Sequence, residues 1–159
     1  MDIREGYGCT EDVMALFGEY TESIIEADEK ASDVLNAQNY EDEALHVNEK
    51  YGRPDGRLYI AYDGEVPAGC IALRRFDETR GEMKRLYVRP QYRGSGLGEK
   101  LARIILSDAR EIGYDSVLLD SLPFMRSAQG LYRKLGFTET EPYYDSPMAD
   151  VTTFMECRL

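Results

Sequence analysis

The stretch from Val88 to Gly98 constrains the fold of this chain more than any other. It reads Val-Arg-Pro-Gln-Tyr-Arg-Gly-Ser-Gly-Leu-Gly and follows an apolar run, Leu86 to Val88, that is typical of a strand. An amphipathic segment comes after it and predicts a helix. The apolar stripe of that helix consists of Leu97, Leu101, Ile104, Ile105 and Ile112. A glycine-rich turn at a helix start leaves the first N–H groups of the helix accessible, and such a site binds anions, phosphate above all.

Spacing excludes two nucleotide-binding motifs for this loop. A dinucleotide fingerprint on Gly94 and Gly96, and a Walker loop starting at Gly94, would each need glycine at the position that Glu99 holds. The pattern that remains is Arg93-x-x-Gly96-x-Gly98. A glycine loop that only turns the chain is the alternative interpretation.

Length and residue content predict one globular domain, residues 1–159, with no resident metal. The 159 residues contain no apolar run as long as a membrane span, and the first residues lack the basic and apolar regions of a signal peptide. Cys9, Cys70 and Cys157 are far apart and odd in number, which favours free thiols in the cytoplasm. A single histidine, His46, cannot build a histidine-based metal centre.

The charge distribution favours an anionic ligand at the glycine loop. The net charge of −11 argues against general binding of nucleic acids. Residues 1–73 carry 17 acids and 5 bases, whereas residues 74–110, which bracket the loop, carry 5 acids and 10 bases. We expect an anionic cofactor at the basic block and a positively charged substrate attracted by the acidic remainder. An acidic surface that only keeps the protein in solution is the alternative.

Hydrophobic periodicity predicts the remaining elements. Helices are expected at residues 11–27, 41–51, 96–112 and 124–135. Strands are expected at residues 1–7, 58–62, 66–75, 82–88, 116–120, 137–141 and 151–158, with a hairpin turn at Asp63-Gly64. The strand at 116–120 should lie parallel to the strand at 82–88, because the chain between them forms a right-handed crossover.

A second motif makes the pattern specific. Residues 128–137 read Ala-x-x-Leu-Tyr-x-x-Leu-Gly-Phe, about 30 residues after the glycine loop and with a predicted strand between. Together the two motifs resemble the GNAT superfamily of N-acetyltransferases, whose members carry (Gln/Arg)-x-x-Gly-x-(Gly/Ala) and Asn-x-x-Ala-x-x-Leu-Tyr-x-x-x-Gly-Phe. The resemblance extends from about residue 57 to the C-terminus. Met125 stands at the position where relatives have asparagine. In relatives that asparagine often contacts the cofactor or a backbone group, and methionine cannot make the same contact.

The resemblance implies an α/β (α+β) fold and an acetyl-CoA cosubstrate. The expected fold is a mixed, mostly antiparallel twisted sheet that is splayed between its fourth and fifth strands and flanked by about four helices. The pantetheine arm would lie in the splayed wedge and pair with the backbone of Leu86 and Val88, as an added strand does. The pyrophosphate would bind the N–H groups of residues 93–98. The cofactor-binding residues expected on this basis are Leu86, Tyr87, Val88, Arg93, Gly94, Ser95, Gly96, Leu97 and Gly98.

The resemblance also places catalytic roles. Tyr132 matches the tyrosine that protonates the departing thiolate, and we favour this role because the motif places it there. A core tyrosine whose hydroxyl is engaged elsewhere is the alternative. Glu82 is the candidate general base, because some relatives carry a base glutamate eleven residues before the loop Arg/Gln. At a period of two its side chain would share a face with Lys84, Leu86 and Val88, and a solvated charge at a strand end is the alternative. Asp120 is a further acid near the cleft, and many relatives deprotonate through a water chain. The oxyanion donor is expected to be the backbone N–H of Tyr87 or Val88.

The acceptor is expected to be a small primary amine, met by the early helices and by the loop Tyr143-Tyr144-Asp145. A protein N-terminus or lysine is an alternative acceptor, and a non-catalytic acyl-CoA-binding module is an alternative of another class. We expect no nucleic-acid or membrane partner, and strands near the C-terminus make a homodimer plausible.

Overall fold

Seven strands form one mixed sheet in the computed structural model, which describes residues 1–27, 40–122, 125–146 and 148–159. The strands are β1 (Asp2–Glu5), β2 (Arg57–Asp63), β3 (Val66–Arg75), β4 (Arg80–Val88), β5 (Ser116–Ser121), β6 (Thr138–Glu139) and β7 (Thr153–Arg158). Their order across the sheet is β1-β2-β3-β4-β5-β7-β6. Within it only β4 and β5 pair in parallel, as the crossover predicts. The expected α/β class and the mostly antiparallel sheet are therefore confirmed.

Five α-helices lie within the described residues. They are α1 (Thr10–Ala27), α2 (Tyr40–Leu45), α3 (Val47–Tyr51), α4 (Leu97–Ile112) and α5 (Arg126–Lys134). The prediction of a single helix at residues 41–51 is wrong, because the helix is interrupted at His46. The N–H of His46 is shared between the carbonyls of Asp42 and Glu43. Phe124, the expected start of α5, and the ambiguous segment 28–39 lie outside the described residues.

The sheet has an apolar cluster on each face. On one face α4 and α5 pack against the strands, and Leu97, Leu101 and Ile105 of the predicted stripe are buried there. The other face is covered by α1, α2 and α3, with Phe17 and Tyr51 fully buried in edge-to-face contact. Both faces of β4 and β5 are therefore covered, as is usual for parallel strands.

The sheet opens between β4 and β5. These strands pair only at Arg80–Ser116, Gly81–Val117 and Glu82–Leu118, and the remainder of β4 continues to Val88 without β5 beside it. The predicted splay is confirmed. On this side of β4, beyond Glu82, no strand of the described residues pairs with its backbone.

A β-bulge in β4 changes which residues share a face. Lys84 lies opposite Ala72 and Tyr87 lies opposite Cys70, so two residues of β4 face one residue of β3. At the bulge Arg85 adopts a left-handed φ of 60°, which is unusual for a side chain of this size. The expectation that Glu82 shares a face with Leu86 and Val88 is therefore wrong. Leu86 and Val88 pack on the α4 face, whereas Glu82 lies opposite Arg74 on the α1 face.

Candidate active site

The glycine loop ends in an uncapped helix start. Gly94 and Gly96 adopt φ values of 79° and 83°, and a Cβ at either position would meet nothing within 4 Å. Gly96 is the N-cap of α4 and offers no side-chain cap. The first N–H groups of α4 therefore face open space at the positive end of a 16-residue helix. This arrangement can hold a pyrophosphate.

The residues predicted to bind the cofactor lie along one groove. Leu86, Tyr87 and Val88 of β4 line it together with Arg93, Gly94, Gly96, Leu97 and Gly98. The opposite wall comes from α5, through Ser127, Ala128 and Leu131. Ser95 is not among the described lining residues, and its hydroxyl donates to the carbonyl of Tyr92 at 2.6 Å.

Arg93 ties the loop back to the strand. Its Nε donates to the carbonyl of Val88 at 2.9 Å, and its guanidinium lies 5.8 Å from the ring centroid of Tyr87. One lone pair of the Val88 carbonyl is therefore already used. The remainder of the exposed guanidinium is available to an anion in the groove.

A second cavity passes through the opening between β4 and β5. Tyr20, Leu86 and Met125 line both this cavity and the groove, so the two adjoin. On the α4 side the cavity is lined by Met83, Leu119 and Tyr132, and on the α1 side by Lys84, Arg85 and Asp120. A ligand in the groove can thus meet a second ligand that enters from the α1 face.

Tyr132 lies in this cavity with a hydroxyl that forms no hydrogen bond among the described residues. Its side chain is 8% exposed, and its ring packs on Phe137 with centroids 5.8 Å apart. Burial raises the pKa of the Tyr132 hydroxyl above its ordinary value, with smaller contributions from Tyr20 and Asp120. The hydroxyl is a neutral donor that is not engaged elsewhere, as a general acid must be.

Helix α5 is held in place by β5. Gln129 is buried and donates from Nε2 to the carbonyl of Leu122 at 3.1 Å. Met125 is the N-cap of α5 without a side-chain hydrogen bond, and its N–H donates to the same carbonyl at 3.0 Å. Met125 therefore places an apolar side chain where the groove and the cavity adjoin.

The two candidate bases occupy different surroundings. Glu82 is 2% exposed, and its two oxygens accept from Arg74 Nε and the Tyr143 hydroxyl, each at 2.7 Å. It is not among the described residues that line the cavity. Asp120 lines the cavity, is half-buried, and accepts a hydrogen bond from the Tyr144 hydroxyl. A direct contact with an acceptor amine is therefore open to Asp120.

Of the three loop residues predicted to contact the acceptor, Tyr143, Tyr144 and Asp145, only Tyr144 lines the cavity. Tyr143 packs against Phe76 and Phe154, with ring centroids 5.1 and 5.3 Å away, and Tyr144 reaches the cavity. Asp145 is exposed and does not line the cavity within the described part of the chain. Ser146, Met148 and Thr152 continue the cover over the cavity.

Sequence reasoning missed two residues of the cavity. Tyr20 lies in the helix expected at residues 11–27, where it was assigned no role, yet it lines both the groove and the cavity, and burial raises its pKa to about 12. Arg85 lines the cavity while its Nε pairs with buried Glu43 at 2.7 Å. The sequence signal for Arg85 was a basic residue inside a strand that is otherwise apolar. The sequence could not identify its buried partner, because Glu43 lies 42 positions earlier in the chain.

Two absences hold for the described residues. No group of three or more His, Cys, Asp or Glu side chains is arranged to hold a metal ion. None of the helices combines the length and the apolar character that a membrane crossing needs.

Comparison with known proteins points to one family. Residues 16–137 match the family model described as acetyltransferase (GNAT) family. An uncharacterized N-acetyltransferase of Schizosaccharomyces pombe is 42% identical over 119 residues, which cover 74% of this chain and 73% of that protein.

Solved structures agree in fold. An acetyltransferase from Streptococcus agalactiae superposes with a TM-score of 0.80 at 23% identity, over 99% of this chain and 98% of that one. The PaiA N-acetyltransferase of Thermoplasma acidophilum, solved in complex with coenzyme A, gives a TM-score of 0.74 at 18% identity over the same shares. At these identities the likeness establishes the fold alone.

Proposed function

The chain belongs to the acetyltransferase (GNAT) family, and we propose that it transfers the acetyl group of acetyl-CoA to a primary amine of a small molecule. The amine attacks the thioester directly. The observation that carries this proposal is that the groove and the cavity adjoin at Tyr20, Leu86 and Met125. The groove begins at the glycine loop, and the cavity next to it contains Tyr132 and reaches the α1 face of the sheet.

Groups of this chain hold the cosubstrate. The N–H groups at the start of α4 receive the pyrophosphate, because Gly94 and Gly96 leave space there and no side chain caps the helix. The pantetheine amides pair with the free backbone groups of β4 near Leu86, in the opening that β5 leaves. The N–H of Tyr87 or Val88 stabilises the thioester oxygen as it gains charge.

Tyr132 serves as the general acid in this proposal. When the amine attacks, the C–S bond breaks and the sulfur leaves as a thiolate that needs a proton. The Tyr132 hydroxyl donates it, because burial keeps the group neutral and no neighbour among the described residues engages it.

Asp120 is our candidate for the base that accepts the proton of the acceptor ammonium. It lines the cavity directly, whereas both oxygens of Glu82 are engaged by Arg74 and Tyr143. Glu82 as the general base stays a prediction, and deprotonation through a water chain without a dedicated base is the other alternative.

The cover over the cavity favours a small acceptor. Tyr20 and Ile24 of α1 stand on one side, and Tyr144, Ser146 and Met148 stand on the other. A protein N-terminus or lysine would instead need an open peptide groove. We place the activity in the cytoplasm, in keeping with the free thiols of the three cysteines. A homodimer stays a prediction.

A coupled assay tests the proposal. The purified protein is incubated with acetyl-CoA and either a panel of small amines or a panel of peptides, while thiol release and the mass of the acceptor are followed. We expect an acetylated small amine to appear with stoichiometric thiol. Acetylation of peptides alone would contradict the small-molecule acceptor, and tight acetyl-CoA binding without acetylation of any amine would favour a non-catalytic module.

A further inference from the structure

Lys84 and Asp120 face one another across the opening between β4 and β5. The last paired residues of these parallel strands are Glu82 and Leu118, and each charged residue lies two positions further along its strand. Both side chains therefore project from the α1 face, one from each edge of the opening. Both line the cavity.

Neither Lys84 nor Asp120 has an oppositely charged partner among the described residues. Lys84 forms no ion pair and no side-chain hydrogen bond with any described residue. Asp120 accepts a hydrogen bond from the neutral Tyr144 hydroxyl and forms no ion pair within the described ranges. The two are not paired with each other either. A half-buried lysine and a half-buried aspartate thus hold opposite charges on opposite walls of one cavity.

Arg85 adds to the positive wall. Its side chain is 2% exposed, its Nε pairs with Glu43, and its buried Nη2 has no hydrogen-bond partner among the described residues. Glu43 also pairs with Lys50, at 2.5 Å. One carboxylate therefore serves two cations, Lys50 and Arg85, and the charge of Lys84 comes in addition. Among the described residues that line the cavity, the cations on this wall are Lys84 and Arg85.

We infer that the acceptor is an amino carboxylate, whose amine lies at Asp120 and whose carboxylate lies at Lys84. The inference rests on the proposed function and names the substrate class of the same site. Asp120 is the appropriate end for the amine, because its carboxylate carries the charge that attracts an ammonium and it lines the same cavity as Tyr132. An acceptor with both charges satisfies both walls at once, whereas a simple alkylamine leaves the Lys84 side unpaired.

The apolar lining describes the remainder of the acceptor. The same cavity is lined by the apolar side chains of Ile24, Met83, Leu122 and Met148. These side chains form no hydrogen bonds and exclude water from the part of the acceptor between its charged groups. We therefore expect acceptors with an apolar side chain to be preferred over strongly polar ones.

Matched acceptors test the inference. Each acceptor set consists of an apolar amino acid, its amide, and the amine that lacks the carboxylate. For each acceptor, kcat/KM is measured by thiol release in wild type, K84M and K84R. The control R110M removes one positive charge from an exposed position on α4. In wild type the amino acid should be the best acceptor of its set. K84M should lower kcat/KM for the amino acid by about tenfold or more, chiefly through KM, and leave the plain amine nearly unchanged. K84R should retain most of the preference, and R110M should not alter it.

Several outcomes would overturn the inference. Equal loss on both acceptors in K84M, or a wild type that prefers the plain amine, would show that Lys84 binds no carboxylate. Thermal-shift titrations distinguish failure of this inference from failure of the proposed function. Acetyl-CoA is titrated first, and the amino acids are then titrated with CoA present. If acetyl-CoA binds but no amino carboxylate is acetylated or adds to the stabilisation, the inference is wrong and the proposed cosubstrate stands. If acetyl-CoA itself does not bind, the proposed function fails first.

Discussion

Glu82 lies opposite Leu118 at the last position where β4 and β5 pair. Beyond this pair the strands diverge, and the bulge at Arg85 moves Leu86 and Val88 to the face where α4 and α5 pack. The divergence of the two strands and the bulge in β4 together leave an opening through the sheet. The glycine loop lies at one end, and charged side chains from both strands lie at the other.

Replacing Tyr132 by phenylalanine should lower kcat by at least about a hundredfold, because the leaving thiolate then has no proton donor. Affinity for acetyl-CoA, measured by calorimetry, should stay nearly the same. Tyr114→Phe is a matched control, since the Tyr114 hydroxyl donates to the carbonyl of Asp55 and lies outside both cavities. An equal loss of turnover and affinity in Y132F would show that Tyr132 only supports the fold.

Replacing Gly96 by valine should abolish binding of acetyl-CoA. The new side chain would stand at the helix start, and φ of 83° is strained for valine by about 1–2 kcal/mol. Gly64→Val carries a comparable strain, because Gly64 has φ of 64° and open space in the β2–β3 turn. Both variants should lose similar stability in urea unfolding, and only G96V should lose the ligand. Binding that survives in G96V would refute the assignment of the loop.

Asp120→Asn should lower kcat/KM near neutral pH by about a hundredfold, because the base that takes the amine proton is lost, and the defect should become smaller at high pH, where more of the acceptor is already neutral. Glu82→Gln should show neither the large loss nor its recovery at high pH. The pH profiles of both variants are measured with the same acceptor. The reverse pattern, a loss that high pH relieves in E82Q alone, would assign the base to Glu82. Ionisation of Tyr132 should not lower activity at any pH up to 10, because its pKa is raised above 10.0.

Replacing Glu43 by glutamine should destabilise the fold by about 3 kcal/mol at neutral pH, because Arg85 loses its buried counter-charge. Burial acts to raise the pKa of Glu43, but Arg85 and Lys50 outweigh it, so the pKa is lowered from 4.5. A lowered pKa in the folded state stabilises the protein above pH 4.5, and this contribution is lost as pH falls through the lowered value.

Urea unfolding at a series of pH values checks this sign. The difference in unfolding free energy between wild type and E43Q should be constant above pH 4.5 and should narrow below it. Glu99→Gln, which breaks an exposed pair with Lys134 and Arg103, should change stability much less at every pH. A difference for E43Q that grows toward acid pH would contradict the role of the Glu43–Arg85 pair.

Local patterns predicted the elements that the groove needs. The strand, glycine turn and helix around Gly96 are contiguous in sequence, and the apolar stripe at Leu97, Leu101 and Ile105 fixes which side of α4 is buried. The crossover rule then placed β5 beside β4 correctly. These inferences depend on neighbours in the chain, and such neighbours are visible in one sequence.

The acceptor side could not be predicted in the same way. A bulge adds one residue to a strand without a distinct sequence signal, so alternation placed Glu82 on the face of Leu86 in error. The break at His46 and the pairing of Arg85 with Glu43 both depend on packing between distant segments. That Lys84 and Asp120 line one cavity could not be predicted, because this depends on where the pairing of β4 and β5 ends.

Binding of acetyl-CoA tests the central claim most directly. Wild-type protein is titrated with acetyl-CoA in a thermal-shift experiment, in parallel with NAD and ATP. The account predicts stabilisation that rises with acetyl-CoA concentration, to about 2.7 kcal/mol at a hundredfold excess over Kd, and little effect of NAD or ATP. No shift with acetyl-CoA, or a shift with NAD alone, would contradict the assignment of the glycine loop and of the groove that begins there.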